Sequence, residues 1–98
     1  MRLNEELSIV EAILFASGDP IEKSRLVQAS GIEEETIEKI INMLNDRYEE
    51  NESALMIIKL SDSYQLCARE KFIDYIRAAM ETRKDAPLSP AAMEVLTI

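Results

Sequence analysis

The sequence predicts a mainly α fold with a small β-hairpin (α+β). Three observations carry this. Apolar residues recur at helical spacing in four separate segments, with a fifth beginning at the end of the chain. One stretch, 54–69, switches to strand-like alternation. The two glycines, Gly18 and Gly31, fall just after helical segments, where left-handed caps are expected.

Helix one spans Leu3 to Ser17. Leu3, Leu7, Val10 and Leu14 form one stripe, which Ile13, Ile9 and Ala16 widen to nearly half the circumference. Phe15 falls on the otherwise polar side with Glu11 and Ser8. Helix one therefore carries more apolar surface than one core stripe requires. Asp19-Pro20 makes a turn, and a short second helix runs from about Glu22 to Ser30, stopped by Gly31. Only Gly31 and Ile32 separate it from the acidic start of helix three, which forces a tight helix-turn-helix.

Helix three, about Glu33 to Glu49, opens with three glutamates that suit the positive end of a helix dipole. Ile37, Ile40, Ile41, Leu44 and Tyr48 share one stripe and mark its core face. Next, Ala54–Leu60 is rich in β-branched and long apolar residues, and Tyr64, Leu66 and Ala68 alternate with Gln65, Cys67 and Arg69. With Ser61-Asp62-Ser63 as the loop, this reads as a hairpin. Glu70 to Thr82 returns to helical period through Phe72, Ile76 and Ala79. A charged, proline-containing linker follows. Ser89-Pro90 then offers an N-cap and a first-turn proline for a further helix, about two turns of which are present.

Three helices, a hairpin and a closing helix in this order are the layout of a winged helix-turn-helix. The expected division is 1–83 as one winged helix domain, 84–88 as linker, and 89–98 as the truncated first helix of a second such domain, so the sequence is expected to be a fragment of a longer protein.

Composition narrows the chemistry. The 98 residues contain no His, so the usual zinc sites and histidine-dependent nucleophilic catalysis are excluded. Carboxylate pairs remain, but each lies on a regular helix with no implied pocket, and no catalytic, metal or cofactor residue is assigned. The single Cys67, between Leu66 and Ala68, reads as a small packed hydrophobe in a reducing compartment. No signal peptide or membrane-length apolar run is present, and a soluble, cytoplasmic protein is expected.

Many winged helices place their third helix in the DNA major groove. Here that helix presents Glu34, Glu35, Glu38, Asp46, Glu49 and Glu50 on its outer face, against Lys39 as the clear cation. The net charge of −8 lies entirely in residues 1–58, which hold 5 basic and 13 acidic groups, while residues 59–98 hold 6 of each. Carboxylates facing phosphates oppose the main source of DNA affinity. A solvated acidic face explains the pattern without a ligand, and direct strong nucleic-acid binding is not expected. A DNA-binding winged helix regulator is the alternative reading.

Three blocks carry a family resemblance. Glu11-Ala12-Ile13-Leu14-Phe15-Ala16-Ser17-Gly18-Asp19-Pro20-Ile21 resembles the N-terminal signature of segregation and condensation protein B, and Tyr64-Gln65-Leu66 is similar to its wing strand. Leu88 to Ile98 resembles the start of that family's second winged helix domain. The three blocks keep the family's order and cover about a third of the chain. The loop before Tyr64 departs from the pattern, with Ser-Asp-Ser where members often have glycine.

The resemblance implies a non-enzymatic subunit of the bacterial SMC–kleisin condensin complex, acting in chromosome condensation and segregation. It implies homodimerisation, largely through the N-terminal domain, and binding to the kleisin subunit, segregation and condensation protein A, and through it to the SMC ATPase. With no membrane-length apolar run and a net charge of −8, no membrane partner is expected. Candidate interface residues are Ile9, Ile13, Phe15, Met56 and Tyr64. The plainer alternative is that helix one is central and that these residues are packing.

Overall fold

The computed structural model describes residues 2–85, which divide between Ala68 and Arg69 into two compact units. The first contains α1 (Leu3–Ser17), β1 (Ile21–Glu22), α2 (Lys23–Ser30), α3 (Glu34–Glu50), β2 (Leu55–Leu60) and β3 (Ser63–Ala68). The second begins with a 3₁₀ turn (Glu70–Phe72) that runs into α4 (Ile73–Asp85). This is the predicted mainly α architecture with a small antiparallel sheet.

The helices begin and end where local chemistry dictates. Gly18 and Gly31 both take left-handed φ, 71° and 76°, and their N–H groups cap Leu14 and Val27 carbonyls. A side chain at either position would be strained in that conformation. Glu34 and Glu35 stand in the first turn of α3, where the orphan N–H groups of the helix favour anions. Ser30 Oγ donates to Leu26 O (2.6 Å) and accepts from Ile32 N (3.1 Å), turning the chain so that Ile32 folds back into the core.

The core of the first unit is built from buried residues of α1, α2 and α3. Leu7, Val10 and Leu14 of α1 meet Leu26 of α2 and all five predicted residues of α3, each at most 7% exposed. Ile32, Ile57 and Tyr64 complete it, and Ile13, Ile21, Val27 and Leu66 pack against it. Each fully buried aliphatic side chain of this core contributes about 1.5–3 kcal/mol of burial free energy.

The sheet corrects the expected two-stranded hairpin. Its order is β1-β3-β2, all antiparallel, with Ile21 opposite Tyr64 and Glu22 opposite Ser63. β1 is two residues long, too short to show any period, so by sequence Ile21 reads as following the Asp19-Pro20 turn and Glu22 as the start of the second helix. The loop is also tighter than expected: Leu60 pairs with Ser63, leaving Ser61-Asp62 as a two-residue turn with Ser61 at φ 58°. Asp62 O accepts from Lys23 N (2.8 Å), which ties the turn to the start of α2.

In the second unit α4 runs to Asp85, two residues into the stretch read as linker. Arg77 faces Asp74 at 3.9 Å, and Lys71 Nζ lies 5.3 Å from the Phe72 ring centroid. The helix predicted from Ser89 lies outside the described residues.

Candidate protein interface

The pleat of the hairpin sorts its side chains. Leu55, Ile57 and Lys59 share a face with Ala68, Leu66 and Tyr64, and Met56, Ile58 and Leu60 share the other with Cys67, Gln65 and Ser63. Ile57 and Tyr64 are buried, so the first set faces the helices. Tyr64, expected as a contact residue, is 4% exposed and belongs to the core, and burial raises its phenol pKa. Alternation shows which residues share a face, not which face is covered.

α1 separates the other candidates. At about 100° per residue, Phe15 projects from one flank of the core stripe and Ile9 and Ile13 from the other. Ile13 packs against the core, Ile9 is half-buried, and Phe15 is 76% exposed. Met56 is half-buried on the outer face of the sheet. The five residues thus form no single patch.

Phe15 instead borders a groove of about 220 Å³ with Ser8, Glu11 and Ala12 of α1 and with Leu55 and Leu66 of the sheet. Sequence reasoning flagged Phe15 and missed the two leucines, which reach it only through the fold. Their signal was faint: Leu66 lies in the quoted Tyr64-Gln65-Leu66 block. The groove has a fixed polar group. Tyr48 donates its hydroxyl to Glu11 Oε2 at 2.6 Å, and burial, joined by this bond, holds the Tyr48 pKa well above the ordinary tyrosine value.

A second residue missed from sequence is Asn45. Its side chain accepts from Ile57 N (2.8 Å) and donates to Ile57 O (3.0 Å). β2 is an edge strand, and the two-residue turn places the Ile57 amide and carbonyl on its open side, so one carboxamide closes the middle of that edge.

The outer face of α3 keeps its acidic character. Glu34, Glu35, Glu38, Asp46, Glu49 and Glu50 are all exposed. Lys23, at the start of α2, reaches Glu38 (2.5 Å) and Glu34 (3.3 Å). The hydrogen bond to Glu38 raises the Lys23 pKa above its ordinary value, and the same bond lowers that of Glu38. This cation beside the wing turn is therefore engaged within the fold. No helix among the described residues is long and apolar enough to cross a membrane.

A family model described as "Segregation and condensation complex subunit ScpB" matches residues 8–98. The chain is 34% identical over 99 residues to segregation and condensation protein B of Acetivibrio thermocellus, covering 100% of this chain and 50% of that one. It is 35% identical over 92 residues to the protein of that name from Clostridioides difficile, covering 92% and 51%. Among solved structures it is similar to ScpB from Mycobacterium tuberculosis, with TM-score 0.75 and 16% identity over 82% of this chain and 50% of that one. It is also similar to a dimer of ScpB N-terminal domain complexed with ScpA peptide, with TM-score 0.71 and 23% identity over 79% and 96%. At these identities the structural likenesses show the fold, a winged helix. The chain spans about half the length of the curated relatives it matches. The match over residues 8–98 shows that this chain belongs to the segregation and condensation protein B family.

Proposed function

We propose that the chain is the dimerising, kleisin-binding N-terminal module of a non-enzymatic subunit of the bacterial SMC–kleisin complex, acting in chromosome condensation and segregation. The family match is the observation that carries this reading, and one structurally similar neighbour is itself a dimer holding an ScpA peptide. On this reading residues 1–83 are the module, 84–88 a linker, and 89–98 the beginning of a second winged helix. The protein acts in the cytoplasm, associated with the nucleoid through the complex. Ile9 and Met56, half-buried and off the core stripes, are retained as candidates for self-association.

Direct DNA reading is the competing function of this fold, and the electrostatics of α3 disfavour it. Titrating fluorescent random duplex DNA at low salt separates the two readings. The condensin reading expects no submicromolar binding. Tight, salt-sensitive binding would favour a regulator. Calorimetric titration with full-length ScpA from the same genome is the complementary experiment, with saturable binding expected and heat of dilution alone counting against the proposal.

A further inference from the structure

β3 lies in the middle of the sheet, so each of its neighbours leaves one edge open. β1 has two residues and β2 has six, which makes β2 the longer edge. The register decides which of its backbone groups point outward. Tyr64 pairs with Ile21 on the β1 side, and Leu60 closes the two-residue turn with Ser63. Leu60, Ile58 and Met56 therefore bond to β3, while Lys59, Ile57 and Leu55 turn their amides and carbonyls away from it. Such an outward row is a template for another strand.

Two side chains occupy the row. Asn45 takes both groups of Ile57, and Ser53 Oγ accepts from Leu55 N at 3.1 Å. The Lys59 amide and carbonyl have no hydrogen-bond partner among the described residues. The row is open to approach, because a groove of about 280 Å³ runs beside it between Asn42 and Asn45 of α3 and Ile57 and Lys59 of β2. Outward groups placed evenly about Ile57 are self-complementary. An antiparallel second copy of β2 centred there exchanges both backbone bonds at Ile57 with its own Ile57, and Leu55 of each copy meets Lys59 of the other. Lysine is a common guard on edge strands, but in this register it faces leucine and not a like charge. The Asn45 carboxamide sits at the centre of the register, on the one residue that must pair with itself.

We propose that β2 carries a latent strand-pairing surface for a second copy of this chain, and that Asn45 holds it shut by standing in for the missing strand. A chain that associates through one face and also pairs along β2 joins copies without closure, whereas a sealed edge confines it to the first contact. The device operates whatever assembly state the parent chain adopts, since only the added association depends on Asn45.

The test compares the 98-residue chain with its Asn45→Ala and Asn45→Asp variants by sedimentation across concentration, with thermal melts and amide hydrogen exchange in parallel. Alanine leaves Ile57 free and is the better helix former, so a folded variant is expected. Aspartate also loses the bond to the Ile57 carbonyl but sets like charges together across the two-fold, so it controls for lost stability. In the parent, the Ile57 amide is expected to exchange slowly and the Lys59 amide fast. Asn45→Ala is expected to raise the self-association constant about tenfold or more, because the side chain no longer competes for two hydrogen bonds, and to slow Lys59 exchange at high concentration. Asn45→Asp is expected to match the parent. Should Asn45→Ala fail to melt cooperatively, Asn45→Ser, too short to reach Ile57, carries the same expectation. Unaltered self-association in a folded alanine or serine variant overturns the proposal. An equal rise in Asn45→Asp marks the stickiness of a loosened fold and also overturns it. Equal exchange of the Ile57 and Lys59 amides in the parent overturns it as well: if both are fast Asn45 does not hold the edge, and if both are slow the edge is already covered.

Discussion

Three polar side chains do work that their apolar neighbours cannot. Asn45 satisfies both backbone groups of Ile57 on the open side of the edge strand. Asn45→Ala leaves that amide and carbonyl without their partners in a partly buried site, and is expected to cost about 1–3 kcal/mol. Urea unfolding checks this through a lowered midpoint at unchanged slope. Asparagine is a poor helix former, and its place inside the continuous α3, immediately after Leu44, is the trace this role leaves in the sequence. Tyr48 and Glu11 join α1 to α3 through their hydrogen bond. Burial, the largest cause, and the bond to Glu11 both favour the protonated phenol in the folded state, so the Tyr48 pKa rises above that of the unfolded chain. Its contribution is complete below the unfolded value near ~10 and is lost as pH rises beyond it. Thermal melts from pH 8 to 11 are expected to show an alkaline decline that is smaller in Tyr48→Phe. Lys23, also raised, follows the same sign, while Glu38, lowered, loses its contribution as pH falls. Both lie at the surface, where solvent screening keeps such pairs weak.

Among the elements, those with enough residues to establish a period were legible in the sequence. All of α1 and the five-residue core stripe of α3 came from 3.6-residue spacing, and both glycine caps followed from where that spacing stopped. β1 was not legible, because two residues cannot alternate and because its partner Tyr64 lies 43 positions away. Ile21 after Pro20 was its only trace. The same limit hid the groove. Phe15 was conspicuous on a polar flank, but Leu55 and Leu66 become its neighbours only when the hairpin docks beside α1. The wing turn carries a further expectation. Ser61 holds φ 58°, a region that costs a non-glycine residue about 1 kcal/mol, and glycine is the residue the resemblance leads one to expect in this loop. Ser61→Gly relieves that strain and gives back part of the gain through greater freedom of the unfolded chain. A net stabilisation of up to about 1 kcal/mol is expected, read as a raised urea midpoint.

For the whole molecule, charge and fold point in opposite directions, and the proposed function follows the charge. The winged helix alone favours DNA, yet α3 turns six carboxylates outward and Lys23 is held by Glu34 and Glu38. Apolar surface is available to a partner in several separate places among the described residues: the Phe15 groove, half-buried Ile9 and Met56, and exposed Leu3, Met43, Leu60, Tyr75 and Met80. Self-association is the claim on which this account most depends, because it requires neither a partner nor the remaining half of a full-length relative. Sedimentation velocity of the 98-residue chain across micromolar to near-millimolar concentration measures it directly. The account predicts a species of twice the chain mass that grows with concentration and saturates there. A chain that stays strictly monomeric at the highest concentration contradicts it.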